Sequence, residues 1–138
     1  MAAWQPMAAN EWLIVPGAAL LRYGTLPDAG PNAGLATGQE PGMSAQSDAA
    51  VVEQVLAEAG FVDVHLADVR LRLTFGADLD EAVDYLSRSG PGRTVLATVP
   101  EHDRGAALAD VRTALAGHAD AAGVHLGAAI WLITATRA

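Results

Sequence analysis

The sequence has 138 residues, enough for one domain with a buried core, and its 51% apolar and 17% charged residues are typical of a globular protein. Its formal net charge is -8 and every basic residue is an arginine, so it lacks the clustered positive charge with which proteins bind nucleic acids or anionic membranes. The absence of cysteine excludes disulfides and thiolate metal sites.

The sequence shows no export or membrane signal. No basic segment followed by a long apolar run lies near Met1, and the most apolar stretch, 124–135, is interrupted by Gly127 and is too short to cross a bilayer. We therefore expect a cytoplasmic protein without a membrane partner.

The first third of the chain predicts a short helix followed by a long loop. Asn10 is a good N-cap for a helix, and Pro16-Gly17 predicts an interruption of that helix soon after it begins. From Gly24 to Ser47 glycine and proline recur too often for a regular element. Such a loop is either a surface connection or a cover for a substrate site.

The middle of the chain predicts a helix over 48–60, capped by Ser47 and ended by a left-handed Gly60, and then a strand over 61–75. The apolar positions of this strand change parity on the way from Val62 to Phe75. A bulge or bend near Ala67-Asp68 is therefore expected.

Two further helices are predicted before the last strand. Asp78 and Glu81 form a capping-box pattern that opens a helix to about Ser89, and Gly90-Pro91-Gly92 is expected to stop it. The next helix runs from about Glu101 to Leu115.

The last element, 123–136, is apolar at both parities, which is typical of a strand covered on both faces. Such a strand needs a neighbour on each edge. The chain offers one confident neighbour, 61–75, and only the short segment 1–5 as a possible second. Because a two-stranded sheet is marginal in water, we expect self-association or a companion chain to complete the sheet.

Four segments together resemble one protein family. "WQPMAANEWLIVPGAAL" is similar to the segment after the fifth strand of class I S-adenosylmethionine-dependent methyltransferases of the type 11 and ubiquinone-biosynthesis-like group. "SDAAVVEQVLAEAGFVDVHL" and "FGADLDEAVDYLSRSGPGR" resemble the helices and turns around its sixth strand, and "GVHLGAAIWLITATRA" resembles its closing seventh strand.

The resemblance implies the C-terminal half of a Rossmann-like α/β fold, with an antiparallel strand pair 61–75/123–136 packed with three to four helices. It implies methyl transfer from S-adenosylmethionine to a small acceptor. The Gly-rich loop and acidic residue that hold this cofactor in such folds belong to the other half of the family pattern. We therefore expect little S-adenosylmethionine binding by this chain alone.

The resemblance also suggests a domain organisation. Residues 1–138 form one partial domain: 1–5 end a central strand, 10–47 hold a broken helix and a substrate-side loop, and 48–138 hold a helix, a strand, two helices and a strand. The cofactor-binding half is expected to precede Met1, so the chain is interpreted as a fragment, a mis-started gene or a split half.

Four residues near the end of the first strand are candidates for contact with the acceptor: Trp4, Gln5, Asn10 and Trp12. Open α/β sheets bind ligands at the carboxyl ends of their strands, where Trp side chains supply apolar area and amides supply polar contacts. The alternative is that the tryptophans pack and Asn10 caps a helix.

No catalytic residue and no metal site is predicted. His65 and His125 would face each other only in one strand register, and His102 or His118 is conceivable as a general base near a helix end. A different class of function also fits the sequence: a small non-enzymatic α+β domain that dimerises through sheet edges.

Overall fold

The computed structural model describes residues 1–26 and 46–138, which form a mixed α/β structure. In chain order the elements are strand β1 (Ala2–Trp4), a 3-10 turn (Met7–Ala9), α1 (Glu11–Leu20), α2 (Ala49–Glu58), β2 (Phe61–Gly76), α3 (Leu79–Arg88), α4 (Gly90–Leu96), a 3-10 turn (Glu101–Asp103), α5 (Arg104–Ala116), β3 (Ala119–Asp120) and β4 (Gly123–Arg137). Most of the loop predicted between Gly24 and Ser47 lies outside the described residues.

The four strands form one antiparallel sheet with the order β1-β4-β2, in which the short β3 also pairs with β4. Ala3 lies opposite Trp131, and Asp120 lies opposite Gly123. The expected pairing of 61–75 with 123–136 is confirmed. The short segment 1–5 supplies the second neighbour of β4, so this strand has a partner from its own chain on both edges.

β4 is covered on both faces for part of its length. Residues 123–131 are buried or half-buried at both parities, as their apolar sequence predicts. Beyond them Leu132 is 47% exposed, and 134–137 are exposed as well. The prediction of double coverage is therefore correct for the first nine residues of the strand only.

Helix α1 corrects one prediction, because it continues through Pro16 to Leu20 instead of breaking at Pro16-Gly17. Proline removes the hydrogen bond to the carbonyl four residues earlier, here that of Trp12. Trp12, Pro16, Ala19 and Leu20 are all buried and share one helical face. Burial of this face compensates for the missing bond.

The segment after α3 corrects a second prediction. α3 does end at Arg88, but Gly90-Pro91-Gly92 opens α4 rather than a loop. Proline suits the first turn of a helix, where its missing N–H has no partner to lose. The described residues therefore hold five α-helices in place of three to four, and three of these lie between β2 and β4 in place of two.

The predicted start of α3 and the left-handed stop after α2 are confirmed, and the predicted N-cap of α2 is wrong. Asp78 accepts a hydrogen bond from the N–H of Glu81 at 2.9 Å, as the capping-box pattern predicts, and Gly60 adopts a positive φ of 84°. The cap of α2 is Asp48, which accepts from the N–H of Ala50 at 2.8 Å, and not Ser47.

The exposure pattern along β2 changes parity where the sequence does. Val64 and Leu66 are half-buried, and after the exposed pair Ala67 and Asp68 the half-buried positions resume at Val69. β2 remains one continuous strand across this point.

The chain consists of two compact units. Of the described residues, the first contains 1–10, 46–71 and 128–138, and the second contains 11–26 and 72–127. In the second unit α1 packs against α4 and α5, and α3 packs against the same two helices. Its buried side chains include Leu86, Val111, Leu115, Val124 and Leu126.

Candidate functional site

Gln5 and Asn10, both predicted as acceptor contacts, are buried in the first unit. Gln5 is 4% exposed and donates from Nε2 to Asp68 Oδ1 at 2.8 Å and to the carbonyl of Ile130 at 3.1 Å. Asn10 is fully buried and accepts from the N–H of Ala129 at 2.9 Å. These amides hold the end of β1 against β4, a structural role that the contact hypothesis did not include.

The network around Gln5 extends to an ion pair. Arg70 donates from Nε to Asp68 Oδ1 at 2.7 Å, and its Nη2 lies 3.4 Å from Gln5 Oε1. Hydrogen bonds from Arg70 and then from Gln5 hold the pKa of Asp68 below its ordinary value. The charges of this cluster are therefore matched within the unit.

The two tryptophans occupy different units. Trp4 is half-buried at the end of β1 in the first unit. Trp12 is buried in the second unit, where its ring stacks on Phe75 with centroids 6.1 Å apart. This contact supports the packing interpretation of Trp12. The acceptor-contact hypothesis stays a prediction for all four residues.

The second unit holds a cleft of about 440 Å³ that is rich in titratable side chains. It lies where α1 begins, α5 ends and the β3–β4 hairpin starts. The residues that line it are Glu11, Arg72, Gly117, His118, Ala119, Asp120, His125, Leu126 and Gly127.

One wall of the cleft is a hydrogen-bonded chain centred on His125. Its Nε2 lies 3.2 Å from Asp120 Oδ1, and its Nδ1 lies 2.9 Å from Thr74 Oγ1. Because a carboxylate can only accept, Nε2 carries a proton, and Nδ1 shares a hydrogen bond with the Thr74 hydroxyl, which can donate or accept. His125 is 9% exposed, so both of its ring nitrogens are used inside the protein.

Asp120 is the anionic anchor of this wall. It accepts from the N–H of Ala122 at 2.7 Å and from Arg72 at 2.9 Å. The hydrogen bond from the Ala122 amide, and after it the hydrogen bond from Arg72, hold the pKa of Asp120 below its ordinary value. The carboxylate therefore remains ionised and keeps a proton on Nε2 of His125.

Glu11 and His118 form a second pair of side chains in the lining of the cleft. Glu11 Oε2 accepts from the N–H of Gly127 at 2.7 Å, which anchors the carboxylate, while its Oε1 lies 3.8 Å from His118 Nδ1. The His118 ring is 26% exposed and lines the cleft. His118 is thus a partly accessible imidazole that lies beside an anchored carboxylate.

The structure distinguishes the two histidines that were considered as general bases. Of the two conceivable bases, His118 lines the cleft, whereas His102 is 81% exposed and lies 3.4 Å from Asp103. Within the described part of the chain, no group of three or more metal-ligating side chains is placed to hold an ion.

Sequence reasoning missed Glu11, Arg72 and Asp120 as members of a site. Glu11 directly follows the predicted N-cap Asn10, where an acidic residue is ordinary and gives no sign of a binding site. His125 carried the one available signal, because a titratable residue interrupts an otherwise apolar strand.

None of the helices in residues 1–26 and 46–138 has the length and hydrophobicity needed to traverse a bilayer. Comparison of the sequence with protein-family models and with curated proteins finds no match in either set.

Proposed function

We propose that this chain is the acceptor-side half of a class I S-adenosylmethionine-dependent methyltransferase that methylates a small molecule. The order β1-β4-β2 is the observation that carries the proposal. The resemblance assigns these strands as fifth, seventh and sixth, and in that fold the seventh strand lies antiparallel between the other two. Here β4 lies between β1 and β2 and runs antiparallel to β1.

The cleft is assigned to the acceptor and not to S-adenosylmethionine. Leu126 is the one large apolar side chain among its lining residues, and none of them is Phe, Tyr or Trp, so the cleft lacks the apolar walls that a nucleoside needs. The residues that line the cleft are therefore given no role in holding the cofactor. The cofactor supplies an activated methyl group when it is bound by the other half of the family fold.

His118 is proposed as the base that removes a proton from the acceptor. A nucleophilic oxygen or nitrogen that gains a methyl group must lose a proton, and a positioned imidazole can accept it. Glu11, held by the N–H of Gly127, would stabilise the resulting imidazolium at 3.8 Å. The His125–Asp120 pair lines the same cleft.

The first experiment tests whether this chain is one half of a methyltransferase fold. The DNA upstream of the Met1 codon and the neighbouring reading frames are inspected for a Gly-rich strand–loop–helix, and that segment is co-expressed with this chain. We expect calorimetric titration to give S-adenosylhomocysteine binding in the micromolar range for the pair and little binding for this chain alone. Tight binding by the isolated chain, or the absence of any such segment, would contradict the proposal.

The second experiment tests the base in the assembled protein. We expect His118→Gln to lower the rate of methyl transfer about 100-fold, since general-base catalysis contributes factors of that order. The matched control is His102→Gln, which changes an exposed histidine outside the cleft. Equal rates for the two variants would refute the role of His118.

A further inference from the structure

The charges of the side chains that line the cleft do not cancel. Arg72 and Asp120 form an ion pair at 2.9 Å, and both oxygens of Asp120 already accept hydrogen bonds. Glu11 is a second carboxylate in the lining, which contains no arginine besides Arg72. With its histidines neutral, the lining therefore carries one negative charge that it does not balance, and that charge belongs to Glu11.

The carboxylate of Glu11 has one engaged oxygen and one available oxygen. Oε2 accepts from the N–H of Gly127 at 2.7 Å, which holds the group in place. In the described part of the chain Oε1 accepts no hydrogen bond, and its neighbour His118 Nδ1 lies 3.8 Å away, beyond hydrogen-bond distance. The Glu11 side chain is 47% exposed, so a ligand can reach this oxygen from solvent.

Two helices end at the cleft with opposite polarity. α1 begins at Glu11 and presents partial positive charge, whereas α5 ends at Ala116 and presents partial negative charge. Because these contributions oppose each other, the helix termini leave the charge of Glu11 as the unbalanced one. The cleft is therefore suited to a ligand with one positive charge.

We propose that the cleft binds a small aliphatic ammonium ion, which Glu11 recognises through Oε1. An ammonium group beside a carboxylate forms charge-assisted hydrogen bonds, which are stronger than neutral ones. The volume of about 440 Å³ suits a small molecule. The inference rests on the proposed function in one respect, because it assigns the ammonium group to the methyl acceptor.

The position of His118 indicates where the methylated atom of this acceptor lies. Its Nδ1 is 3.8 Å from Glu11 Oε1, so a ligand with two neighbouring polar groups can reach both atoms. A 1,2-amino alcohol has this form, since its ammonium can donate to the carboxylate and its hydroxyl to the imidazole.

Methyl transfer to such an acceptor is balanced in protons and electrons. The hydroxyl proton passes to His118, and an electron pair of the hydroxyl oxygen forms the new bond to the methyl carbon. The bond between that carbon and sulfur breaks, and its electrons stay on sulfur. The ammonium group keeps its charge throughout, so Glu11 holds substrate and product alike.

NMR spectroscopy of the full chain tests this recognition without the cofactor-binding half. The probe is ethanolamine; its controls are ethylene glycol, with a hydroxyl in place of the ammonium, and glycolate, with a carboxylate. At about pH 8 aliphatic amines are protonated and an ordinary imidazole is neutral. We expect ethanolamine to shift the His118 ring resonances saturably, with a Kd of about 1–10 mM, and both controls to bind at least tenfold more weakly. Absence of a saturable shift, or equal affinity for ethylene glycol, would overturn the inference.

The variant Glu11→Gln tests the residue that carries the recognition. Glutamine keeps an oxygen that can accept from the N–H of Gly127 and removes the charge. We expect the affinity for ethanolamine to fall at least tenfold. The control Glu53→Gln removes an exposed carboxylate on α2 and should bind ethanolamine like the wild type. Equal affinities of the two variants would overturn the role of Glu11.

These measurements separate the ammonium site from the proposed function. Selective ethanolamine binding by this chain, without methyl transfer by the assembled protein, would contradict the methyltransferase proposal and leave the site intact. Methyl transfer by the assembled protein, without preference for ethanolamine over ethylene glycol, would contradict the ammonium site alone.

Discussion

Asn10 shows how one buried amide can organise the junction between a strand and a helix. Its Oδ1 accepts from the N–H of Ala129, and its Nδ2 donates to the carbonyls of Gln5 at 3.0 Å and Pro6 at 3.2 Å. These three backbone groups belong to two segments that are distant in sequence. A buried backbone group without a partner is costly, so the amide is a requirement of the fold.

Asn10→Ala should therefore destabilise the protein strongly. Loss of the amide leaves buried backbone groups without partners, and we expect the free energy of unfolding to fall by about 3 kcal/mol. Urea denaturation followed by tryptophan fluorescence measures the change. The control Gln54→Ala removes an exposed amide that donates to Glu58 and should change the stability by less than about 0.5 kcal/mol. A similar loss in both variants would contradict this role of Asn10.

Because the pKa of Asp120 is lowered in the folded chain, the free energy of unfolding should depend on pH. Its pKa is lower in the folded chain than its ordinary value, so its ionised form stabilises the fold. This contribution is complete above about pH 4, the ordinary value, and is lost as the pH falls through the lower folded value.

Asp120→Asn should accordingly be less stable than the wild type at neutral pH, and this difference should shrink below about pH 4. Urea denaturation at a series of pH values gives the two stabilities. Glu53→Gln, which alters an exposed carboxylate on α2, is the control and should show a small difference at every pH. A difference for Asp120→Asn that persists unchanged into acid would contradict the assignment.

The contacts of single residues were the part least accessible to sequence reasoning. Arg72 and Asp120 are 48 residues apart and meet only because β2 and the β3–β4 hairpin take one particular register. By contrast, Asp78 and Glu81 interact within one turn, and their spacing alone predicts the bond. Local partners can be derived from the chain, whereas distant ones require the sheet.

At the scale of the elements, β3 and β4 are joined by a turn that only glycine can complete. Gly123 has a φ of 125°, and a Cβ added there would lie 2.4 Å from the carbonyl oxygen of Gly76. Asp120 supports the same turn by accepting from the N–H of Ala122. The position of one wall of the cleft therefore depends on Gly123.

Gly123→Ala should destabilise the chain by about 3 kcal/mol, because it adds both backbone strain and a steric overlap. Thermal unfolding measured by circular dichroism reports the loss. Gly105→Ala in α5 is the matched control, since an added Cβ there meets nothing within 4 Å and alanine favours the helix. If Gly123→Ala were as stable as this control, the turn would not constrain the fold.

Elements that begin and end with clear local signals were predicted well. The strands β2 and β4 and the start of α3 follow from periodicity and capping. The continuous α1 and the additional α4 were not predicted, because proline and glycine usually interrupt helices and were expected to do so here. Gly92 explains the second case: a Cβ there would lie 1.9 Å from the carbonyl oxygen of Leu86, so glycine permits close approach of two helices.

At the scale of the whole molecule, the acidic charge should govern solubility. The formal charge is -8 at neutral pH, and the sequence pI is about 4.7. Charge repulsion keeps molecules apart in solution, and it vanishes near the pI. We expect a solubility minimum close to pH 4.7, measured by precipitation and light scattering across a pH series. Equal solubility at that pH and at neutral pH would contradict this expectation.

The place of β4 in the sheet has a consequence for biosynthesis. In residues 1–26 and 46–138, the strands that pair with β4 all precede it along the chain, so a ribosome delivers the central strand after these partners have emerged. Until then β1 and β2 have no common neighbour, and the nascent polypeptide must wait, with apolar surface uncovered, for its final segment. Premature termination before codon 123 would release β1, β2 and β3 without the strand that joins them, and such a product should be prone to aggregation.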